Sequence, residues 1–185
     1  MKKTYRVNEI FYSLQGEGYF TGTAAVFLRL SGCNLTCSFC DTDHQFFTEY
    51  TSDEIVETLR PFPSRHIVIT GGEPALQIDD ELVGELHSRG WFIQIETNGT
   101  RPLPEGIDWV TCSPKPSGKL AIKRADELKI VFLGQDVETL ADALPADNLY
   151  LQPCSDENTE AVVEYIKSHP WWRLSLQTHK LINIP

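Results

Sequence analysis

Three cysteines raise the first question of chemistry. Cys33, Cys37 and Cys40 stand at CxxxCxxC spacing within Cys33-Asn34-Leu35-Thr36-Cys37-Ser38-Phe39-Cys40. Thiolates this close together need a soft metal centre to neutralise them, and zinc or an iron–sulfur cluster suits sulfur. Three ligands are one short of a closed site. Either a fourth ligand comes from elsewhere, and His44 stands where it would complete a Cys3His zinc set, or one metal position stays open for chemistry.

Other polar groups are placed just as unusually. Arg29 sits inside the apolar run Ala24-Ala25-Val26-Phe27-Leu28-Arg29-Leu30. A guanidinium there needs an anion, supplied by an internal Asp or Glu or by a ligand. Gly71-Gly72 follows the run His66-Ile67-Val68-Ile69-Thr70 and lets backbone approach another group closely, because no Cβ intervenes. Glu96-Thr97-Asn98-Gly99, Ser113-Pro114-Lys115 and Gln177-Thr178-His179 each follow a β-rich run in the same way.

These groups need elements to hold them. Short apolar runs at 24–30, 66–70, 91–95, 109–112, 128–132, 149–152 and 173–177 read as strands. Residues 6–11 alternate and read as one more. Thr51-Ser52-Asp53-Glu54 is a capping box that opens a helix, and helices follow near 79–89, 136–144 and 157–168. Strand–helix alternation predicts a parallel sheet, and about six such steps predict an incomplete barrel within a single domain, 1–185. In parallel α/β folds the strand C-terminal ends share one rim, and every loop named above lies on it.

The bulk numbers set limits. The chain has 185 residues, enough for one full core, and 41% hydrophobic residues, which excludes disorder. Its net charge of −10 argues against nonspecific nucleic-acid binding. No apolar run is long enough to span a membrane, and the N-terminus lacks the apolar stretch of a signal peptide. A cytoplasmic protein with reduced thiols is expected. Five cysteines, three of them clustered, fit a metal site better than a disulfide framework. Cys112 and Cys154 read as small buried apolar residues.

The cysteine spacing, with Phe39 before the third cysteine, and Gly71-Gly72-Glu73-Pro74 resemble the signatures of radical S-adenosylmethionine enzymes. More narrowly, Leu14-Gln15-Gly16-Glu17-Gly18, Cys40-Asp41-Thr42, Glu96-Thr97-Asn98-Gly99, Ser113-Pro114-Lys115 and Gln177-Thr178-His179-Lys180 resemble the 7-carboxy-7-deazaguanine synthases. The resemblance covers nearly the whole chain. It implies an α/β fold of the incomplete (β/α)6 type. It also implies a carbon–nitrogen lyase that converts 6-carboxy-5,6,7,8-tetrahydropterin to 7-carboxy-7-deazaguanine with loss of ammonia, in queuosine and 7-deazapurine biosynthesis.

The same resemblance assigns residues. Cys33, Cys37 and Cys40 would hold a 4Fe-4S cluster with one iron left open. S-adenosylmethionine would chelate that iron and, on one-electron reduction, yield the radical that starts the reaction. Phe39, Cys40, Asp41, Gly72, Glu73, Glu96, Asn98, Ser113, Pro114 and Lys115 would contact S-adenosylmethionine. Thr42 would help hold Mg2+. Leu14, Gln15, Gly16, Glu17, Arg29, Thr70 and the C-terminal Pro185 would meet the substrate, with Arg29 on its carboxylate. A flavodoxin-type electron donor and a homodimer are implied as partners.

Overall fold

The computed structural model describes residues 2–40, 46–154 and 157–185. Its sheet has nine strands in the order β3-β1-β2-β4-β5-β6-β7-β8-β9. They are β1 Tyr5–Leu14, β2 Ala24–Leu30, β3 Thr48–Tyr50, β4 His66–Gly71, β5 Phe92–Thr97, β6 Trp109–Cys112, β7 Ala125–Phe132, β8 Ala146–Pro153 and β9 Arg173–Leu174. From β2 to β9 every pairing is parallel. Among the described residues β3 and β9 remain the two edges, so the barrel is open, as expected.

The first strand departs from the parallel expectation. It pairs antiparallel with β2 and with β3. The connection from Leu14 to Ala24 is too short for a crossover, so the chain can only turn back on itself. The three-residue β3 shows no run long enough to register in the sequence.

Helices α1 Ser52–Leu59, α2 Asp80–Ser88, α3 Val137–Ala143 and α4 Thr159–Ser168 cover the outer face. The predicted capping box opens α1: the Thr51 side chain accepts from the Glu54 amide, and Glu54 accepts from the Thr51 amide at 2.7 Å. Two strand-to-strand steps, β5 to β6 and β6 to β7, cross by loops alone. The second of these loops carries Ser113-Pro114-Lys115. A short helix, α5 Thr178–Leu181, ends the chain.

Alternation along the strands separates two faces. Ile67, Ile69, Ile93 and Ile95 are fully buried and pack with Ile55, Leu59, Leu82 and Leu86 of α1 and α2. Leu128, Ile130 and Leu151 do the same in a second core with Val137 and Val162. The opposite face carries His66, Gln94, Glu96, Thr111, Glu127, Lys129 and Gln152, with a small apolar cluster of Ala25, Phe27 and Val68 on β2 and β4, so the interior from β5 to β8 is largely polar. Its lower end is plugged by aromatic rings. Phe20 packs on His66, Phe92 and Trp109, the first residues of β4, β5 and β6. The β1–β2 connection delivers that ring, and its earlier residues become the floor of the site.

Candidate active site

The strand ends and the β1–β2 connection enclose a cavity of about 940 Å³. One wall is the cysteine loop, which follows β2. Cys33, Cys37 and Cys40 all line the cavity, with Phe39 beside them. The Cys40 amide donates to the Cys37 carbonyl at 3.2 Å, and the Leu35 amide donates to the Cys33 sulfur at 3.5 Å. Burial pushes the Cys37 thiol up; the Lys115 ammonium pulls it down, and the other two sulfurs push it up again. Such thiols lose their protons on meeting a metal.

Glycine sets the position of this loop. A Cβ on Gly72 would lie 2.2 Å from the Gly32 carbonyl oxygen and 3.0 Å from the Cys33 Cβ. Gly71 has φ +128°, where a side chain is strained, and its Cβ would strike the backbone of Leu30. The close approach expected of this pair is therefore made first to the cysteine loop itself. The Glu73 amide completes it, donating to the Gly32 carbonyl at 2.9 Å.

Glu73 is fully buried and does not line the cavity. Its carboxylate accepts from the Ala75 amide at 2.9 Å, the Thr97 hydroxyl at 2.7 Å and the Asn98 amide at 2.6 Å. Asn98 in turn donates to Asn34 in the cysteine loop at 3.2 Å. One carboxylate thus ties three rim loops together. Pro114 is also buried away from the cavity, while Ser113 and Lys115 line it. The Lys115 ammonium donates to the Ser113 hydroxyl at 2.6 Å and lies 5.9 Å from the Phe39 ring centre. Burial and then the nearby Lys129 hold that ammonium below the usual lysine range.

The opposite wall carries Arg29, Thr70, Leu14, Gln15, Gly16, Glu17 and Pro185. Arg29 is half-buried, and its Nε donates to Glu9 at 2.6 Å. The internal carboxylate expected as one alternative partner is Glu9, and the Arg29 side chain also borders the cavity. The tail packs on the floor loop. The Thr178 amide and hydroxyl both donate to the Gly16 carbonyl at 2.9 Å, and Ser13 donates to a Pro185 carboxyl oxygen at 2.8 Å.

The chain matches the model of the radical SAM superfamily over residues 28–169. It is 59% identical to the 7-carboxy-7-deazaguanine synthase of Bacteroides thetaiotaomicron, over 97% of this chain and 98% of that protein. It is 43% identical to the synthase of the same name from Burkholderia multivorans, over 98% of this chain and all of that one. The chain belongs to the 7-carboxy-7-deazaguanine synthase family. The crystal structure of QueE from Escherichia coli agrees, with a TM-score of 0.81, 34% identity and 95% coverage of both chains.

A radical SAM protein implies a 4Fe-4S cluster and S-adenosylmethionine, and this family member's own residues fit them. The donors are three sulfurs on one cavity wall. Soft thiolates of this kind suit an iron–sulfur cluster. Gly71-Gly72 forms a side-chain-free ledge beside the sulfurs. The cavity is also large enough for two organic ligands. Asp41, Thr42 and His44 lie outside the described residues.

Several lining residues escaped the sequence reading. Glu9 lies at an alternating position of β1 with nothing to mark it. Gln152 ends an ordinary-looking strand, and Cys154, expected to be buried, lines the cavity instead. Lys129 did carry a signal: it is a charge between Leu128 and Ile130, the pattern that singled out Arg29. Cys112 is buried as expected, and burial pushes its thiol up to about 12.

Proposed function

We propose that this chain acts as a 7-carboxy-7-deazaguanine synthase. It contracts the ring of 6-carboxy-5,6,7,8-tetrahydropterin to 7-carboxy-7-deazaguanine, releasing one ammonia, in queuosine precursor synthesis. The observation that carries this reading is one cavity with a trio of thiols on one wall and a guanidinium with amide and carboxylate groups on the other.

When bound, the cluster and S-adenosylmethionine supply the one-electron chemistry; the protein binds, orients and shields. Cys33, Cys37 and Cys40 hold the cluster. Phe39, Gly72, Glu96, Asn98, Ser113 and Lys115 border the space for S-adenosylmethionine, with Asp41 beside the third cysteine in sequence. Glu73 and Pro114 act from behind, by fixing those loops. Arg29, aligned by Glu9, receives the substrate carboxylate in a charge-assisted contact. Gln15 and Glu17 face the ring donors and acceptors, Leu14, Gly16 and Thr70 shape its slot, and Pro185 covers the mouth. Placing the reacting carbon beside the radical source is the larger part of what the protein contributes.

Mg2+ held at Thr42 belongs to this reading, since hard oxygen ligands suit that ion. So do a cytoplasmic location, a flavodoxin-type donor and a homodimer. The exposed Leu174 on the edge strand β9, and Leu181 and Ile182 in the tail, support an association surface. No helix among the described residues is long and apolar enough to cross a membrane.

The test is turnover of the carboxylated tetrahydropterin by reconstituted, reduced protein, with and without Mg2+. Formation of 7-carboxy-7-deazaguanine and ammonia in equal amounts supports the reading, and a higher rate with Mg2+ supports the metal. Cofactor cleavage without that product overturns the substrate assignment.

A further inference from the structure

The barrel interior holds one more group that the proposed chemistry leaves unused. Lys129, in the middle of β7, is only 4% exposed. Its ammonium donates to Glu17 at 2.5 Å and to Glu96 at 3.1 Å. Glu17 belongs to the floor loop and Glu96 to the C-terminal end of β5, so one ammonium bridges the two halves of the cavity. The remaining carboxylate oxygens are also engaged. Glu96 accepts from Gln15 at 2.9 Å, and Glu17 accepts from Gln177 at 2.8 Å and Gln152 at 3.3 Å. Gln15 accepts from the Glu17 amide at 3.2 Å. Lys129, Glu96, Gln15 and Glu17 therefore form a closed ring, and Gln177 hangs from it at the start of the tail.

We propose that Lys129 is a positioning residue of this site: its ammonium pins Glu17 and Glu96 in place and, through Glu17 and Gln177, docks the C-terminal segment on the floor loop. The link to substrate rests on the proposed function above; the link to the tail does not.

Every donor in the ring is a fixed amide or ammonium, so the carboxylates act as acceptors on all sides. A protonated carboxyl would set an O–H against an existing donor. Burial alone would raise the Glu17 carboxyl, but Lys129 overrides burial and holds it below the usual range. Burial would likewise discharge Lys129, yet Glu17, Glu96 and Glu127 hold it charged. Lys115 and His179 are the other charged or titratable groups facing this cluster. Glu17 is thus a fixed acceptor for ligand N–H or O–H groups and does not shuttle protons.

Removing the ammonium leaves the part-buried carboxylates of Glu17 and Glu96 beside one another without their shared cation, and one takes up a proton. The floor loop then loses its anchor. The experiment follows amide hydrogen exchange in reconstituted wild type, K129M and the charge-balanced K129M/E96Q, with binding of 6-carboxypterin measured by fluorescence. In both variants exchange across 14–18 and 177–185 is expected to quicken roughly tenfold or more, with α1 unchanged. Probe affinity in K129M should fall by a similar factor and rise with pH between about 6 and 8, while wild type stays flat. K129M/E96Q should lose that pH dependence and regain thermal stability without regaining affinity. Recovery of affinity and tail protection in the double variant would show that Lys129 only balances charge and would overturn the proposal. Unchanged exchange at 177–185 in K129M would overturn it too. Absence of turnover in wild type would sink the substrate reading and leave the exchange result to decide the role of Lys129.

Discussion

The His179 ring occupies the space where Gly16 has no side chain. A Cβ on Gly16 would lie 2.0 Å from Nδ1 of that ring. Floor loop and tail are therefore fitted to each other at one point, which the Thr178 bonds to the Gly16 carbonyl secure. Gly16→Ala should displace the tail without unfolding the core. The expected result is a KM for the pterin raised roughly tenfold or more and faster proteolysis after residue 176. Removing the ring in G16A/H179A should restore much of both.

The ledge at Gly72 makes a separate prediction. Its missing Cβ is what lets β4 meet the cysteine loop, 2.2 Å from the Gly32 oxygen. Gly72→Ala must move that loop, because backbone cannot yield as a flexible side chain does. Iron bound per chain after reconstitution should drop well below wild type, while far-ultraviolet circular dichroism stays the same.

Arg29 and Glu9 should separate by substrate. Arg29→Gln removes the charge expected to meet the substrate carboxylate, and should raise KM roughly ten- to hundredfold. Binding of a pterin lacking that carboxylate should hardly change. Glu9→Gln keeps the guanidinium and weakens only its alignment through Nε, so its effect should be smaller and of the same kind.

Two buried groups make stability depend on pH from opposite sides. Burial disfavours the His66 imidazolium, partly offset by its bond to Gln94, so its folded value lies below 6.5. The unfolded chain then binds more protons in acid, and stability should fall as pH drops through about 6.5. Burial favours the neutral Cys112 thiol, raising it from 9.0 to about 12. Stability from that group is present below pH 9 and should be lost between about 9 and 12. Urea midpoints across this range check both; His66→Gln should flatten the acid limb and Cys112→Ala the alkaline one.

Much of the site could be read from the chain because it lies on strand ends. Apolar runs mark the strands, and any polar group just after one lands on the shared rim. That logic brings Cys33, Gly72, Glu96 and Ser113 to one cavity. It cannot say which way a rim side chain turns: Glu73, expected near the cofactor, turns its carboxylate to the Thr97 hydroxyl and the Asn98 amide, and Pro114 is buried off the cavity lining. Nor does periodicity report strand direction: the antiparallel β1 follows from the length of its connection to β2, and the alternation of its residues looks the same either way. Glu9 is ordinary in sequence because its purpose depends on facing Arg29 across that pairing. Lys129 was visible as a charge in an apolar strand, but its partners lie 112 and 33 positions away, beyond any local pattern.

The most direct measurement is metal content and electron paramagnetic resonance of anaerobically reconstituted protein, before and after adding S-adenosylmethionine. Cys33, Cys37 and Cys40 as the whole protein ligand set predict about four irons per chain. They also predict a reduced-state spectrum that changes when S-adenosylmethionine is added, with both features lost in Cys37→Ala. One zinc and no iron, or a reduced cluster whose spectrum ignores S-adenosylmethionine, would contradict the account.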